Sequence, residues 1–233
     1  MTDLSSFPVT SRWEVKDPTV LQLFSFPTPN GQKVSIMLEE IGLPYEAHRV
    51  GLSDADVRSP EFLSLNPNNK IPAIIDPDGP GGQPLRLFES GAILLYLAEK
   101  TGQLLGRTPT DRYKVIQWLM WQMGGVGPMF GQFNWAVRFA GKEIEDPRPR
   151  ERFVEEARRL LRVLDGALEG KEWVAGDYSI ADVALGPWVT ALSLPDAAPL
   201  VGWDELSNVQ GFVERFQARP AVQRGKNIPP RNG

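Results

Sequence analysis

Cysteine is absent from this sequence of 233 residues, and histidine occurs once. Without a thiol, the chain can neither form a disulfide nor use a cysteine nucleophile. Zinc sites depend largely on cysteine and histidine ligands, so we expect no metal. The single histidine, His48, lies in a segment typical of a strand, and we interpret it as a structural or surface residue. Any thiol chemistry therefore requires a sulfur brought by a ligand.

Long hydrophobic runs are also missing, since the apolar stretches are far shorter than the roughly 20 residues that cross a bilayer. The first residues lack the charged start and apolar core of a secretory signal, so we expect a cytoplasmic protein. The net charge is −4, and basic residues are scattered among acidic ones. This pattern is not typical of nucleic-acid binding. We expect neither nucleic acid nor a membrane as a partner.

The sequence predicts an arm and two domains. Residues 1–18 show no sustained period, and Phe7 and Trp13 are the side chains that would anchor them as an arm over the body. Residues 19–104 alternate strand and helix patterns, whereas 108–233 contain helix patterns alone. The predicted fold class is an α/β domain followed by an all-α domain.

The stretch 21–40 organises the first domain. An apolar run breaks at the sequence PTPNG, residues 27–31, and a helical pattern starts at once, which predicts a strand, a sharp turn and a helix. The helix N-terminus brings backbone N–H groups and a positive dipole end to this turn. Beside them lie the Thr28 hydroxyl and the Asn30 amide. The turn is therefore a candidate anion site.

A strand at 45–50 completes a β-α-β unit with parallel pairing. A short helix over 58–65 and a strand over 70–76 follow, and a strand over 85–88 forms a hairpin with the third strand. Pro72 in the third strand allows two interpretations. It marks an edge strand or the first residue of a strand, or its peptide bond with Ile71 is cis and turns the Ile71 backbone groups outward to pair with an extended peptide.

The next helix opens at Glu89-Ser90 and ends before Gly102. Ser90 is expected at or beside the N-cap, with two interpretations open. It is a cap and nothing more, or Ser90 and the helix N–H groups receive the carboxylate of an amino acid while Glu89 receives its ammonium group.

The second domain contains three further predicted features. A helix over 111–123 should kink or break at the sequence GGVGP, residues 124–128, because of close helix packing or because a site needs bare backbone. Ser179 and Asp182 form a predicted capping box. A helix starts near Arg148, and another ends at Ala218, after which the polar tail from Gly225 is expected to be loose.

The motifs FPTPNGQKVSIMLEE, NNKIPAIID, LFESGAILLYLAEKTG and GDYSIADVALGPW, in this order, resemble the cytosolic glutathione transferases. The resemblance covers roughly 20–220. With QMGGVGPMFGQ, the sequence looks like the nu-class bacterial transferases and the related fungal prion-forming nitrogen regulator. The resemblance implies a thioredoxin-like first domain, a homodimer and glutathione as the ligand, without a metal.

The resemblance also implies contacts for each part of glutathione. Its cysteinyl backbone would pair with Ile71 beside cis Pro72. Its γ-glutamyl carboxylate would meet Ser90, and Glu89 would take the ammonium group. Lys70 would meet the glycyl carboxylate.

The sulfur of glutathione would lie near Thr28 and Asn30, which would stabilise the thiolate as hydrogen-bond donors. Arg152 aligns with a family arginine that approaches bound glutathione. The connection from Phe133 to Arg150 departs from the nu-like branch in length and residues, which affects the pocket for a second molecule.

Nu-like members resemble disulfide reductases, in which glutathione thiolate attacks a small disulfide, or two glutathiones cycle with their oxidised form. The expected function is therefore a glutathione-dependent disulfide-bond oxidoreductase. The alternatives are a transferase that conjugates glutathione to an electrophile, a glutathione peroxidase, and a binding or regulatory module without activity.

Overall fold

A computed structural model describes residues 4–232 and divides into two compact units. The first comprises Met1–Thr101 together with Pro220–Gly233, and the second comprises Gly102–Arg219. Residues 1–3 of the expected arm, and residue 233, lie outside the described part. The final segment, which the sequence pattern assigns to the helical domain, thus belongs to the first unit.

The first unit contains a mixed sheet of four strands in the order β2-β1-β3-β4. The strands are β1 (Leu21–Ser25), β2 (Tyr45–Arg49), β3 (Ala73–Asp76) and β4 (Leu85–Phe88). As predicted, β1 and β2 are parallel, whereas β3 is antiparallel to both β1 and β4. The third strand begins at Ala73 rather than Lys70, because Pro72 has no N–H to contribute to a ladder.

The α-helices, in chain order, are α1 (Pro29–Ile41), α2 (Asp54–Val57), α3 (Pro60–Leu65), α4 (Ser90–Thr101), α5 (Pro109–Trp121), α6 (Gly127–Arg138), α7 (Arg148–Ala167), α8 (Ile180–Leu192), α9 (Ala198–Val201), α10 (Ser207–Ala218) and α11 (Pro220–Gly225). Within residues 4–232, none of them has the length and apolar character that crossing a membrane would require. The helix predicted over 58–65 begins at Pro60, since Ser59 caps it and precedes a proline.

The N-terminal arm packs on the core of the first unit. Val9 is buried. The Trp13 ring meets Phe24 and Phe62 edge to face, at centroid distances of 6.4 Å and 6.1 Å. Its Nε1 donates a hydrogen bond to the carbonyl of Arg49 at 2.8 Å. The arm therefore covers apolar side chains that the sheet and α3 would otherwise expose.

The C-terminal segment is anchored to α1 instead of being loose. The Ser35 hydroxyl donates to the carbonyl of Gly225 at 2.8 Å. A Cβ on Gly225 would lie 2.8 Å from Ile36 Cα, so only glycine permits this approach. Further on, Arg231 Nη2 donates to the carbonyl of Pro27 at 3.3 Å. Polar composition thus did not indicate mobility, because the backbone of this segment is hydrogen-bonded.

In the second unit, α5 and α6 are joined by a π-helical segment, Gln122–Val126. The helix departs from regular α geometry at the predicted place but does not break. A Cβ on Gly127 would lie 2.9 Å from Gln122 Nε2, whereas one on Gly124 or Gly125 would meet nothing within 4 Å. Close packing therefore explains Gly127, and the other two glycines lie beside open space.

The predicted capping box begins α8. The Asp182 carboxylate accepts hydrogen bonds from the backbone N–H groups of Ser179 and Val174, each at 3.0 Å. It also accepts one from the Ser179 hydroxyl at 3.1 Å. Burial raises the pKa of Asp182 to about 6, although these hydrogen bonds favour the ionised form. The carboxylate joins the start of α8 to the chain before it.

Replacing Asp182 by alanine should lower the free energy of unfolding by about 3 kcal/mol, because buried donors lose their acceptor. Thr108→Ala is a matched control, since Thr108 caps α5 at an exposed site, and it should cost about 1 kcal/mol. Urea unfolding at about pH 7.5, where Asp182 is ionised, measures both losses. Equal losses would contradict a special role for the buried cap.

Candidate functional site

The turn between β1 and α1 is built around Thr28, the N-cap of α1. The Thr28 Oγ1 accepts a hydrogen bond from the Gly31 N–H at 3.3 Å. Pro29 and Asn30 are the first two residues of the helix, which therefore starts within the sequence PTPNG rather than after it. A Cβ on Gly31 would lie 1.9 Å from the carbonyl oxygen of Phe26, so this position requires glycine. The turn is held close against the end of β1.

The groups of this turn are suited to binding an anion rather than to moving protons. A hydroxyl that accepts one hydrogen bond can still donate its own proton, so Thr28 keeps a donor for a ligand. The Asn30 side chain has an amide with two donors, and neither residue titrates near neutral pH. Thr28 and Asn30 are both half-buried. The arrangement suits stabilisation of a thiolate by donors at a helix N-terminus.

The Ile71-Pro72 peptide bond is cis. The edge-strand interpretation of Pro72 is wrong, because β3 lies between β1 and β4. Pro72 is buried and Ile71 is half-buried. Lys70 is exposed, and its carbonyl accepts a hydrogen bond from the Asn66 side chain at 2.6 Å. The segment before β3 is thus fixed while its lysine side chain stays open to solvent.

Glu89 and Ser90 lie where β4 passes into α4. Glu89 has a φ of 70°, in the left-handed region. Its carbonyl accepts the hydrogen bond from the Ile93 N–H at 2.9 Å, as an N-cap carbonyl does. Ser90 is the first residue of the helix and is 4% exposed, whereas the Glu89 side chain is exposed. Ser90 therefore lies beside the cap, as expected.

The strand register brings these segments to one end of the sheet. Ala73 pairs with Phe24 on one side and with Phe88 on the other. Phe24 lies just before the turn at 27–31, and Phe88 lies just before Glu89. The predicted site residues of the first unit therefore occupy one sheet end: Thr28, Asn30, Lys70, Ile71, Pro72, Glu89 and Ser90.

Lys33 is not among the site residues predicted from the sequence. This residue of α1 is 1% exposed, and its Nζ donates a hydrogen bond to Ser90 Oγ at 3.3 Å. Burial lowers the pKa of Lys33 to about 7, against the opposing effect of the Glu89 charge. A signal was present, because Lys33 lies one turn before Met37 on the apolar stripe of α1. A lysine on a core-facing stripe indicates a buried polar partner.

Arg152 belongs to the second unit, on an exposed face of α7. It borders a groove of about 780 Å³ whose wall includes Met129 and Phe153. Hydrogen bonding from Arg159, with a smaller effect of the Arg152 charge, lowers the pKa of Glu156. The assignment of Arg152 to glutathione binding stays a prediction.

His48 is buried in the sheet. Its Nε2 lies 2.8 Å from Gln22 Oε1, and its ring stacks on Phe24 at a centroid distance of 4.6 Å. Burial lowers the pKa of His48. Over residues 4–232, no cluster of three or more His, Cys, Asp or Glu side chains is arranged to hold a metal ion.

Two family models match the chain. The model of the glutathione S-transferase N-terminal domain matches residues 19–99, and that of the C-terminal domain matches residues 131–220. The chain belongs to the glutathione S-transferase family. The order of the two matches agrees with the thioredoxin-like unit and the helical unit described above.

The transferase-family relatives include disulfide oxidoreductases. Disulfide-bond oxidoreductase YfcG of Escherichia coli is 45% identical over 87% of this chain and 93% of its own. A glutathione transferase from Pseudomonas putida, solved with one glutathione disulfide per subunit, is 61% identical, with a TM-score of 0.96. That comparison covers 98% of this chain and 100% of the other. A Burkholderia graminis transferase, solved with two glutathione molecules per subunit, is 60% identical, with a TM-score of 0.97. That comparison covers 100% of this chain and 98% of the other.

The buried Lys33 should make stability depend on pH. Its pKa is about 7 in the folded protein, and near 10.4 in the unfolded chain. Between these values the unfolded chain binds more protons, so the free energy of unfolding should rise as the pH increases above about 7. Below pH 7 the cost of burying the charge is fully present.

Comparison with Lys33→Met isolates this effect. Urea unfolding should be measured at about pH 7, 8 and 9. The free energy of unfolding of the wild type should rise relative to that of the variant, by at most about 1.4 kcal/mol per pH unit. Parallel pH curves would contradict a buried, titrating lysine.

Proposed function

We propose that this protein is a glutathione-dependent disulfide-bond oxidoreductase. The observation that carries the proposal is the turn at Thr28, which offers hydrogen-bond donors at a helix N-terminus in a chain without cysteine. Such a site can hold a thiolate that a ligand supplies. Its chemistry agrees with the names and bound ligands of the relatives.

The reaction requires two glutathione molecules. A glutathione thiolate attacks one sulfur of the disulfide, so a mixed disulfide forms and the other sulfur leaves as a thiolate that takes a proton. A second glutathione thiolate then attacks the glutathione sulfur of the mixed disulfide. The products are glutathione disulfide and two thiols, and the two electrons pass from glutathione to the substrate.

The protein's contribution is to raise the thiolate population. A free thiol with a pKa of about 8.5 is only about 3% ionised at neutral pH. Donors from Thr28 and Asn30 favour the charged form, and the positive end of the α1 dipole acts in the same direction. A carboxylate base beside the sulfur would oppose it. The site therefore activates glutathione by binding its anion.

The remaining contacts orient the tripeptide. The backbone of Ile71, beside cis Pro72, pairs with the cysteinyl residue. Ser90 receives the γ-glutamyl carboxylate, and Glu89 receives the ammonium group. Lys70 binds the glycyl carboxylate, and Arg152 is a further candidate contact of glutathione. These roles extend the family resemblance to the residues of this chain.

Substitutions should separate chemistry from binding. Thr28→Val and Asn30→Ala should lower kcat for glutathione-driven reduction of 2-hydroxyethyl disulfide about tenfold or more, with less effect on KM for glutathione. Glu89→Gln and Ser90→Ala should instead raise that KM about tenfold. Thr28→Ser is the control, because it keeps the hydroxyl and the cap.

Other outcomes support other functions. No disulfide reduction above the buffer rate would overturn the proposal. Faster turnover of an aryl halide or a hydroperoxide would indicate a conjugating transferase or a peroxidase. Micromolar glutathione binding without turnover of any of these substrates would indicate a binding module. If the Thr28 and Asn30 substitutions changed KM as much as the Ser90 substitution does, the turn would contribute to glutathione binding only.

We also infer a homodimer in the cytoplasm, the compartment whose thiol pool is glutathione. The dimer would form through the edge of the first domain and the helices over 111–135, as the family resemblance implies. Large apolar side chains are exposed in both regions, with Leu52 at 54%, Tyr113 at 69% and Met120 at 50%. Exposed apolar side chains of this size are typical of protein interfaces.

Light scattering should give twice the chain mass of 25.9 kDa. Met120→Lys should shift the protein toward monomer, because a charge in an apolar interface loses its hydration. Ile144→Lys is the control, since Ile144 is similarly exposed at 45% but lies outside 111–135. A monomer mass for the wild type would refute the dimer.

A further inference from the structure

A buried lysine lies beneath the start of α4. The Lys33 side chain is 1% exposed and Ser90 is 4% exposed, so their 3.3 Å hydrogen bond is shielded from water. Lysine is rarely buried to this extent without a compensating group. Its position joins α1, which begins at the thiolate turn, to the helix that begins at Ser90.

The elements around Lys33 carry several charged side chains. Glu89 acts on it from the turn before α4. On α11, which also packs on α1, Arg224 pairs with Glu39 at 2.5 Å. Lys226, just after α11, donates to Gln223 at 2.6 Å. We call Lys33, Glu89 and Ser90 the Lys33 cluster, which combines a buried amine, a carboxylate and a hydroxyl.

An α-amino acid end has the complementary charges. The γ-glutamyl end of glutathione carries an ammonium group and a carboxylate on one carbon. Removing both from water is costly unless each meets an opposite charge or an oriented donor. Glu89 and Ser90 alone supply one negative charge and a neutral hydroxyl. A positive charge behind Ser90 would add an opposite charge for the carboxylate.

We propose that Lys33 is a positioning residue for this end of the ligand: it holds the Ser90 hydroxyl from below and places a positive charge behind the carboxylate. Lys33 then distinguishes a γ-glutamyl group from an acyl group that lacks the α-carboxylate. The proposal rests on the proposed function, because it takes glutathione as the ligand.

The arrangement also predicts proton linkage. Because burial lowers the pKa of Lys33 to about 7, part of the population is neutral at about pH 8. A bound carboxylate favours the charged form and so raises this pKa. Ligand binding should therefore take up a proton.

The affinity test uses S-methylated ligands, which have no thiol to titrate. They are S-methylglutathione, its 4-aminobutyryl analogue without the α-carboxylate, and its glutaryl analogue without the ammonium group. Lys33→Met should lower the affinity for S-methylglutathione and for the glutaryl analogue about tenfold. Its affinity for the 4-aminobutyryl analogue should be unchanged. Lys33→Arg, which keeps the charge, should retain the discrimination.

Two controls separate positioning from folding. Ser35→Ala removes another buried hydrogen bond of α1, the one to Gly225, and should affect the three ligands equally. Glu89→Gln should instead lower the affinity for the two ligands that carry an ammonium group, S-methylglutathione and the 4-aminobutyryl analogue. An equal loss for all three ligands in Lys33→Met, or no loss, would overturn the proposal.

Proton uptake supplies the second readout. Calorimetry of S-methylglutathione binding at about pH 8, in two buffers with different ionisation enthalpies, should show uptake in the wild type and none in Lys33→Met. The same uptake in both proteins would overturn the linkage. If wild type binds neither glutathione nor S-methylglutathione, the proposed function fails. If it binds both and Lys33→Met binds them equally well, only the present inference fails.

Discussion

The close approach of α1 to the end of β1 is the constraint on which the candidate site depends. Gly31 permits it, since a Cβ there would lie 1.9 Å from the Phe26 carbonyl oxygen. The contact fixes the turn, and Thr28 caps the helix by accepting a hydrogen bond from the Gly31 N–H. The same helix carries Lys33 and the attachment of the C-terminal segment. One short backbone contact therefore orients the groups around the proposed sulfur position.

The proposed site separates neutral donors from charges. At the turn, Thr28 and Asn30 offer donors that do not titrate near neutral pH, so the proposed thiolate would depend on hydrogen bonding and the helix dipole. At the start of α4, Glu89 and Lys33 provide formal charges, and Lys33 is shielded from water. This separation suits a ligand whose reactive sulfur and zwitterionic end lie in different parts of the molecule. It also lets substitutions affect turnover and affinity separately.

Both ends of the chain stabilise the first unit. The arm covers apolar side chains with Trp13, and the C-terminal segment reaches back to the turn, where Arg231 donates to Pro27. Arg49 in turn donates to the Arg231 carbonyl at 2.9 Å. Segments with weak local patterns thus become ordered through contacts with distant parts of the chain. Their order depends on packing rather than on helix or strand propensity.

The sequence by itself determined the features that arise from short-range rules. Proline, glycine and hydroxyl residues specified the turn at 27–31 and the capping box of α8, because their effects act within a few residues. The tertiary structure alone decided that Pro72 precedes an interior strand, that Lys33 lies beneath Ser90 and that the final segment packs on α1. These facts depend on which distant residues become neighbours, and local periodicity does not specify the partner.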